Sequence, residues 1–122
     1  MEVKNILQNH KATFTTHGKA LAAVKMFVEA INTGNESEVL ALTTYSWQSK
    51  NKKLKLPRFQ ILEVKSLKYY SRVSFGVRFL VVYNETNRKA VILINFIMET
   101  GPYKPSEKGT FGFNPFIRTI NN

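Results

Sequence analysis

The chain predicts an α+β layer fold, with a long N-terminal helix and a short helix packed on a curved, mainly four-stranded antiparallel sheet. Three observations carry that expectation. From Val73 to Tyr83 every second residue is large and apolar: Val73, Phe75, Val77, Phe79, Val81 and Tyr83. This is the period of a strand with one face buried. After the polar stretch Asn84-Glu85-Thr86-Asn87-Arg88, a second apolar run from Ala90 to Met98 returns as the other arm of a hairpin. Upstream, Leu21, Val24, Phe27, Val28 and Ile31 recur at steps of three and four, the stripe of an amphipathic helix.

Taken in order, residues 1–14 show no firm period and are expected to form a flexible N-terminal segment ahead of one α+β domain over residues 15–122. The long helix starts near Thr15 to His17, with Thr15 or Thr16 as its cap, and stops at Gly34. Asn35 then caps a short helix, with Glu38 as the capping-box partner and Val39, Leu40 and Leu42 as its apolar side. That helix is expected to fade at Thr43-Thr44, leaving Tyr45 and Trp47 just beyond it. Ser49 to Leu56 reads as a polar, basic loop closed by Pro57. A first strand spans about Arg58 to Tyr70, and its alternation slips between Ile61 and Val64, which signals a bulge. Two glycines and two prolines mark residues 100–109 as a loop. Thr110 to Phe113 forms the last strand, and Phe116 to Ile120 continues it or packs as a tail. Pro115 belongs at an edge or a bulge, since it cannot donate to a ladder.

A length of 122 residues suits one core, and 43% hydrophobic content fills it. With no cysteine, disulfides, thiol catalysis and cysteine-zinc sites are excluded. No apolar run reaches the roughly 18 residues of a membrane span, and Ile6-Leu7 is too short for the apolar part of a signal peptide. All eight acids are Glu, against 18 Lys and Arg, for a net charge of +10. Eight of the bases lie between Lys50 and Arg72, where Glu63 is the one acid. Lys50, Lys52, Lys53, Lys55 and Arg58 therefore make a candidate patch for a polyanion, nucleic acid or an anionic cell envelope. Solvation of the surface is the competing explanation of that charge.

The order of long helix, Gly34-Asn35 break, short helix and long hairpin resembles the nuclear transport factor 2-like group of the cystatin-like folds. That resemblance covers roughly Thr15 to Ile120 and implies a bent, cone-shaped sheet wrapped on the first helix. Gly112-Phe113-Asn114-Pro115-Phe116 also resembles the Asn-Pro-x-Gly motif of periplasmic type IV secretion assembly proteins, which share the fold. Asn114 and Pro115 match it, while Ile117 stands in the glycine position. The resemblance implies an extracytoplasmic bacterial setting, with an anchor or signal removed, ahead of a cytoplasmic one.

Enzymes of this group resemble one another in placing an Asp or His base and a Tyr or acid donor in a pocket between helix and sheet. This chain has no Asp, and His10 and His17 lie before or at the start of the first helix, where a solvated histidine is the expectation. Glu63 and Glu99 read as surface charges. No catalytic residue, metal set, phosphate loop or cofactor motif emerges. The expected function is a non-enzymatic binding or assembly module that docks a partner protein or a small apolar ligand. Tyr45, Trp47, Phe27 and Phe79 are the candidate pocket. An isomerase- or cyclase-like enzyme and a basic polyanion binder are the alternatives. Finally, the outer set of the central strand includes Leu80 and Val82, and the next strand adds Leu93, so neither face of the sheet is polar. This predicts a homodimer or another protein partner on the outer sheet face.

Overall fold

Helix α1, Thr15–Thr33, lays Ala20, Val24, Phe27, Val28 and Ala30 against the sheet, all buried. The computed structural model describes residues 15–51 and 53–120; the expectations for residues 1–14, His10 and Lys52, and the side-chain caps of Thr15 or Thr16, lie outside what it describes. Gly34, at φ 69°, ends α1. Its N–H donates to the Ile31 carbonyl and that of Asn35 to the Ala30 carbonyl, both at 3.1 Å, so a Schellman pair satisfies the last turn. The Asn35 side chain then accepts from Glu38 N–H at 3.2 Å and opens helix α2, Glu36–Ala41.

A third helix, α3, Tyr45–Lys50, follows at once. The Thr44 hydroxyl accepts from Trp47 N–H at 3.0 Å, and Gln48 Nε2 donates to the Thr43 carbonyl at 3.1 Å. This corrects two expectations: Tyr45 and Trp47 belong to a helix, and the loop starts after Lys50. Leu42 caps the end of α2, and two residues on Thr44 starts α3.

Strands β1 Phe59–Ser71, β2 Ser74–Tyr83, β3 Lys89–Glu99 and β4 Thr110–Ile120 form one antiparallel sheet in the order β1-β2-β3-β4. The three helices of the described residues and this curved, unclosed sheet make the α+β class. On β2, Phe75, Val77, Phe79 and Val81 face inward and are fully buried. The register then selects one face of β3: Val77 opposes Ile94 and Phe79 opposes Ile92, both buried. The Phe27 ring is 5.5 Å from Phe79, 5.6 Å from Phe96 and 4.7 Å from Phe113, so it forms the centre of an aromatic core.

Register shifts give the sheet its bends. One falls between Ile61 and Glu63, where the alternation slips. Asn32 of α1 secures that point, donating to the Ile61 carbonyl at 3.0 Å and accepting from Ile61 N–H at 2.7 Å. In β4, Asn114 pairs with Asn95 but Arg118 pairs with Leu93, so Pro115 lies in the irregular stretch of an edge strand. Beyond it, Arg118 and Thr119 pair with Leu93 and Ile92, so the strand continues rather than becoming a tail.

Candidate functional site

A half-open cleft of about 490 Å³ lies where α1 hands over to α2. Its floor is apolar and buried: Ala30 of α1, Val39 of α2 and Phe59 of β1. Ile31, Leu54 and Leu56 form half-buried walls, and Leu40 stands at the mouth. Leu54 and Leu56 arrive on the segment that leads into β1, packing onto the core while Lys53 before them and Lys55 between them stay exposed. This basic loop therefore has an inner side, for which the alternation Lys53-Leu54-Lys55-Leu56 is the sequence signal.

The cleft's rim is polar. Arg58 Nη2 donates to Glu36 Oε1 at 2.8 Å across the mouth, with both side chains largely in solvent. Asn84 N–H donates to the Arg58 carbonyl at 3.0 Å and ties the β2–β3 turn to the same point. Ser37, Lys53 and Gln60 complete the polar lining. The volume falls in the range of about 300–1,000 Å³ typical of small-molecule sites.

The four expected pocket residues are elsewhere and do not come together. Phe27 and Phe79 are core, Tyr45 is 41% exposed on α3, and Trp47 is half-buried there. None of them lines this cleft. Of the basic residues, Lys53 and Arg58 border it, Lys55 is exposed beside it, and Lys50 lies apart. Lys50 Nζ stands 5.2 Å from the Tyr103 ring centroid, and their side-chain hydrogen bond holds the ammonium pKa up and the phenol pKa down.

Two titratable groups depart from expectation. His17 is buried, not solvated, and its Nδ1 is 2.7 Å from the Tyr69 hydroxyl. Burial pushes the Tyr69 pKa above the usual tyrosine value. Glu99 is buried too, not a surface charge: its carboxylate accepts from Ser46 N–H at 3.2 Å and from the Ser46 hydroxyl, which in turn accepts from Tyr103 N–H at 2.8 Å. It thus caps the start of α3 and fastens the loop after β3. Glu63 is exposed as expected, 3.6 Å from Lys65. Among the described residues no group of His, Asp or Glu could hold a metal ion, and no helix is long and apolar enough to cross a membrane.

Leu80, Val82 and Leu93 do share a surface, the outer face of the sheet, and all three are half-buried. Leu80 opposes Val91, which opposes Ile120, so an apolar row crosses three strands. Beside it runs a second row, Arg78, Leu93 and Arg118. Comparisons with protein-family models, with curated proteins and with solved structures give no match to this chain.

Proposed function

We propose that this chain is a non-enzymatic binding and assembly module that docks a partner protein on the outer face of its sheet. The carrying observation is the half-exposed apolar row Leu80, Val91 and Ile120, flanked by Val82 and Leu93, on the face opposite the described helices. Strand alternation in a one-faced sheet would put polar residues there. The layered order of helices and meander agrees with the resemblance to nuclear transport factor 2-like domains, and an extracytoplasmic setting remains part of this reading. The cleft favours binding over catalysis, because its one acid, Glu36, is engaged by Arg58.

Charge separates the two kinds of partner. Arg78 and Arg118 lie on the apolar face, Lys89 opposes Val82 and Lys68 opposes Gly76, against one acid, Glu63, which opposes Leu80 and lies 3.6 Å from Lys65. A second copy would bring positive rim to positive rim, whereas a partner with an apolar centre and carboxylates around it would complement both features. The test is light scattering across concentration, with amine cross-linking from Lys68 and Lys89 in the native complex. The expected result is a cross-linked acidic partner, lost in Leu80→Glu. Concentration-dependent dimers would assign the face to a second copy. A monomer whose solubility and cross-links are unchanged by Leu80→Glu would remove the outer face as an interface.

A further inference from the structure

We infer that the cleft between α1, α2 and the Lys53–Arg58 segment binds a small anionic amphiphile, with its apolar body on the floor and its anionic head at the Lys53–Arg58 rim. The site combines two features that one ligand chemistry satisfies. Ala30, Val39 and Phe59 are buried residues that still line open space, so an apolar body placed there exchanges water for a closed hydrocarbon surface. The rim above that floor carries two cations and one carboxylate.

The pairing at the rim leaves capacity for an anion. Glu36 accepts from Nη2 of Arg58, and a guanidinium carries five N–H donors. Among the described residues Lys53 makes no ion pair. Lys55, exposed two residues on, adds positive field at the mouth. A cationic head would meet Lys53, Arg58 and Lys55 with Glu36 already engaged. The cleft's size sets the scale of the ligand at a small molecule, and its half-open shape leaves the head in water, where no charge has to be buried unpaired.

This site is independent of the outer face, since the cleft opens between helices and the start of β1. It is also distinct from the space between helix α1 and the sheet, which the side chains of Phe27, Phe79, Phe96 and Phe113 occupy.

The test is a methyl and amide NMR titration of the full chain with decanoate, decyl phosphate and decyltrimethylammonium, each below its micelle concentration. Saturable shifts at Val39, Leu54 and Leu56 with both anions, and weaker ones with the cation, are expected. Comparing decanoate with decyl phosphate tells a carboxylate preference from a phosphate preference. Shortening decanoate to octanoate should weaken binding by up to about fourfold per methylene. Lys53→Glu should weaken it about two- to fivefold, as befits an exposed charge pair, with the effect fading in salt. Ser37→Trp fills the mouth from an exposed position on α2 and should abolish the shifts, whereas Leu80→Glu should leave them unchanged. Equal binding of the cation, shifts gathered on the outer face, unsaturable shifts, or full binding by Ser37→Trp would each overturn the proposal.

Discussion

Phe27 touches three other rings from three different strands, so its side chain is the place where α1 becomes part of the sheet's core. Phe27→Ala should cost about 3–5 kcal/mol in denaturant melts, the sum of lost transfer energy and a cavity that a close-packed aromatic core cannot collapse. A loss below about 1 kcal/mol would mean that α1 does not seal the sheet. Glycines give a second residue-scale contrast. A Cβ on Gly112 would stand 2.7 Å from the Thr43 carbonyl oxygen and from Thr44 Cα, which are backbone atoms of the segment bridged to β4. A Cβ on Gly76 would strike the Tyr70 side chain, which reaches across the outer face to donate to Asn95 Oδ1 at 3.1 Å. Tyr70 is 52% exposed and can swing away. Gly112→Ala should therefore cost about 2–3 kcal/mol and Gly76→Ala less than about 1, read as midpoint shifts at constant slope. The alternating aromatics were legible in the sequence because period two on one face leaves them one place to go. Glu99 and His17 were not, since a carboxylate or imidazole shows its burial only when Ser46 and Tyr69, distant in sequence, arrive beside it.

At the scale of elements, the long segments were legible by their period and short α2 by its cap at Asn35, while short α3 was not. The stripe of α1 and the alternation of β2 repeat often enough to define a face. Helix α3 has six residues, too few for a period, and its start is marked by caps, Thr44 accepting from Trp47 N–H and the distant Glu99 accepting from Ser46 N–H. Strand β3 is apolar on both sets, so only pairing with β2 decides that Ile92, Ile94, Phe96 and Met98 turn inward. Strand β4 shows what an edge can tolerate. It is bridged to Thr43 at Phe113, and beyond Asn114 its register breaks, with Phe116 75% exposed. Hydrogen exchange should then show the strongest protection in β2 and the inner half of β3, and the weakest strand protection in β4 from Phe116 onward. Equal protection along β4 would mean that another element covers this edge.

Among the described residues of the whole molecule, charge is spread over several surfaces, which the run from Lys50 to Arg72 could not reveal. Lys53 and Arg58 border the cleft, while Arg78 and Arg118 stand on the outer face. Lys19 donates to the carbonyls of Glu107 and Gly109, each at 3.3 Å, and Arg72 lies 3.9 Å from Glu107. Linear crowding of bases was thus legible, but the curved sheet spreads them over different surfaces. The cleft was hidden for the same reason: its lining comes from α1, α2, the segment before β1 and the β2–β3 turn, and only Leu54 and Leu56 left a local trace. A +10 chain with cations on several of its described faces sets up a field that favours polyanions of any sequence. Binding to a short duplex DNA, followed by fluorescence anisotropy, should therefore be indifferent to sequence and weaken steeply between about 50 and 200 mM salt, as counterion release requires. Charge reversal at Lys53 and Lys55 should lower the salt slope without abolishing binding, because the other faces still contribute. Affinity that persists unchanged at high salt, or that is lost entirely with those two lysines, would instead place a built nucleic-acid site on the segment before β1.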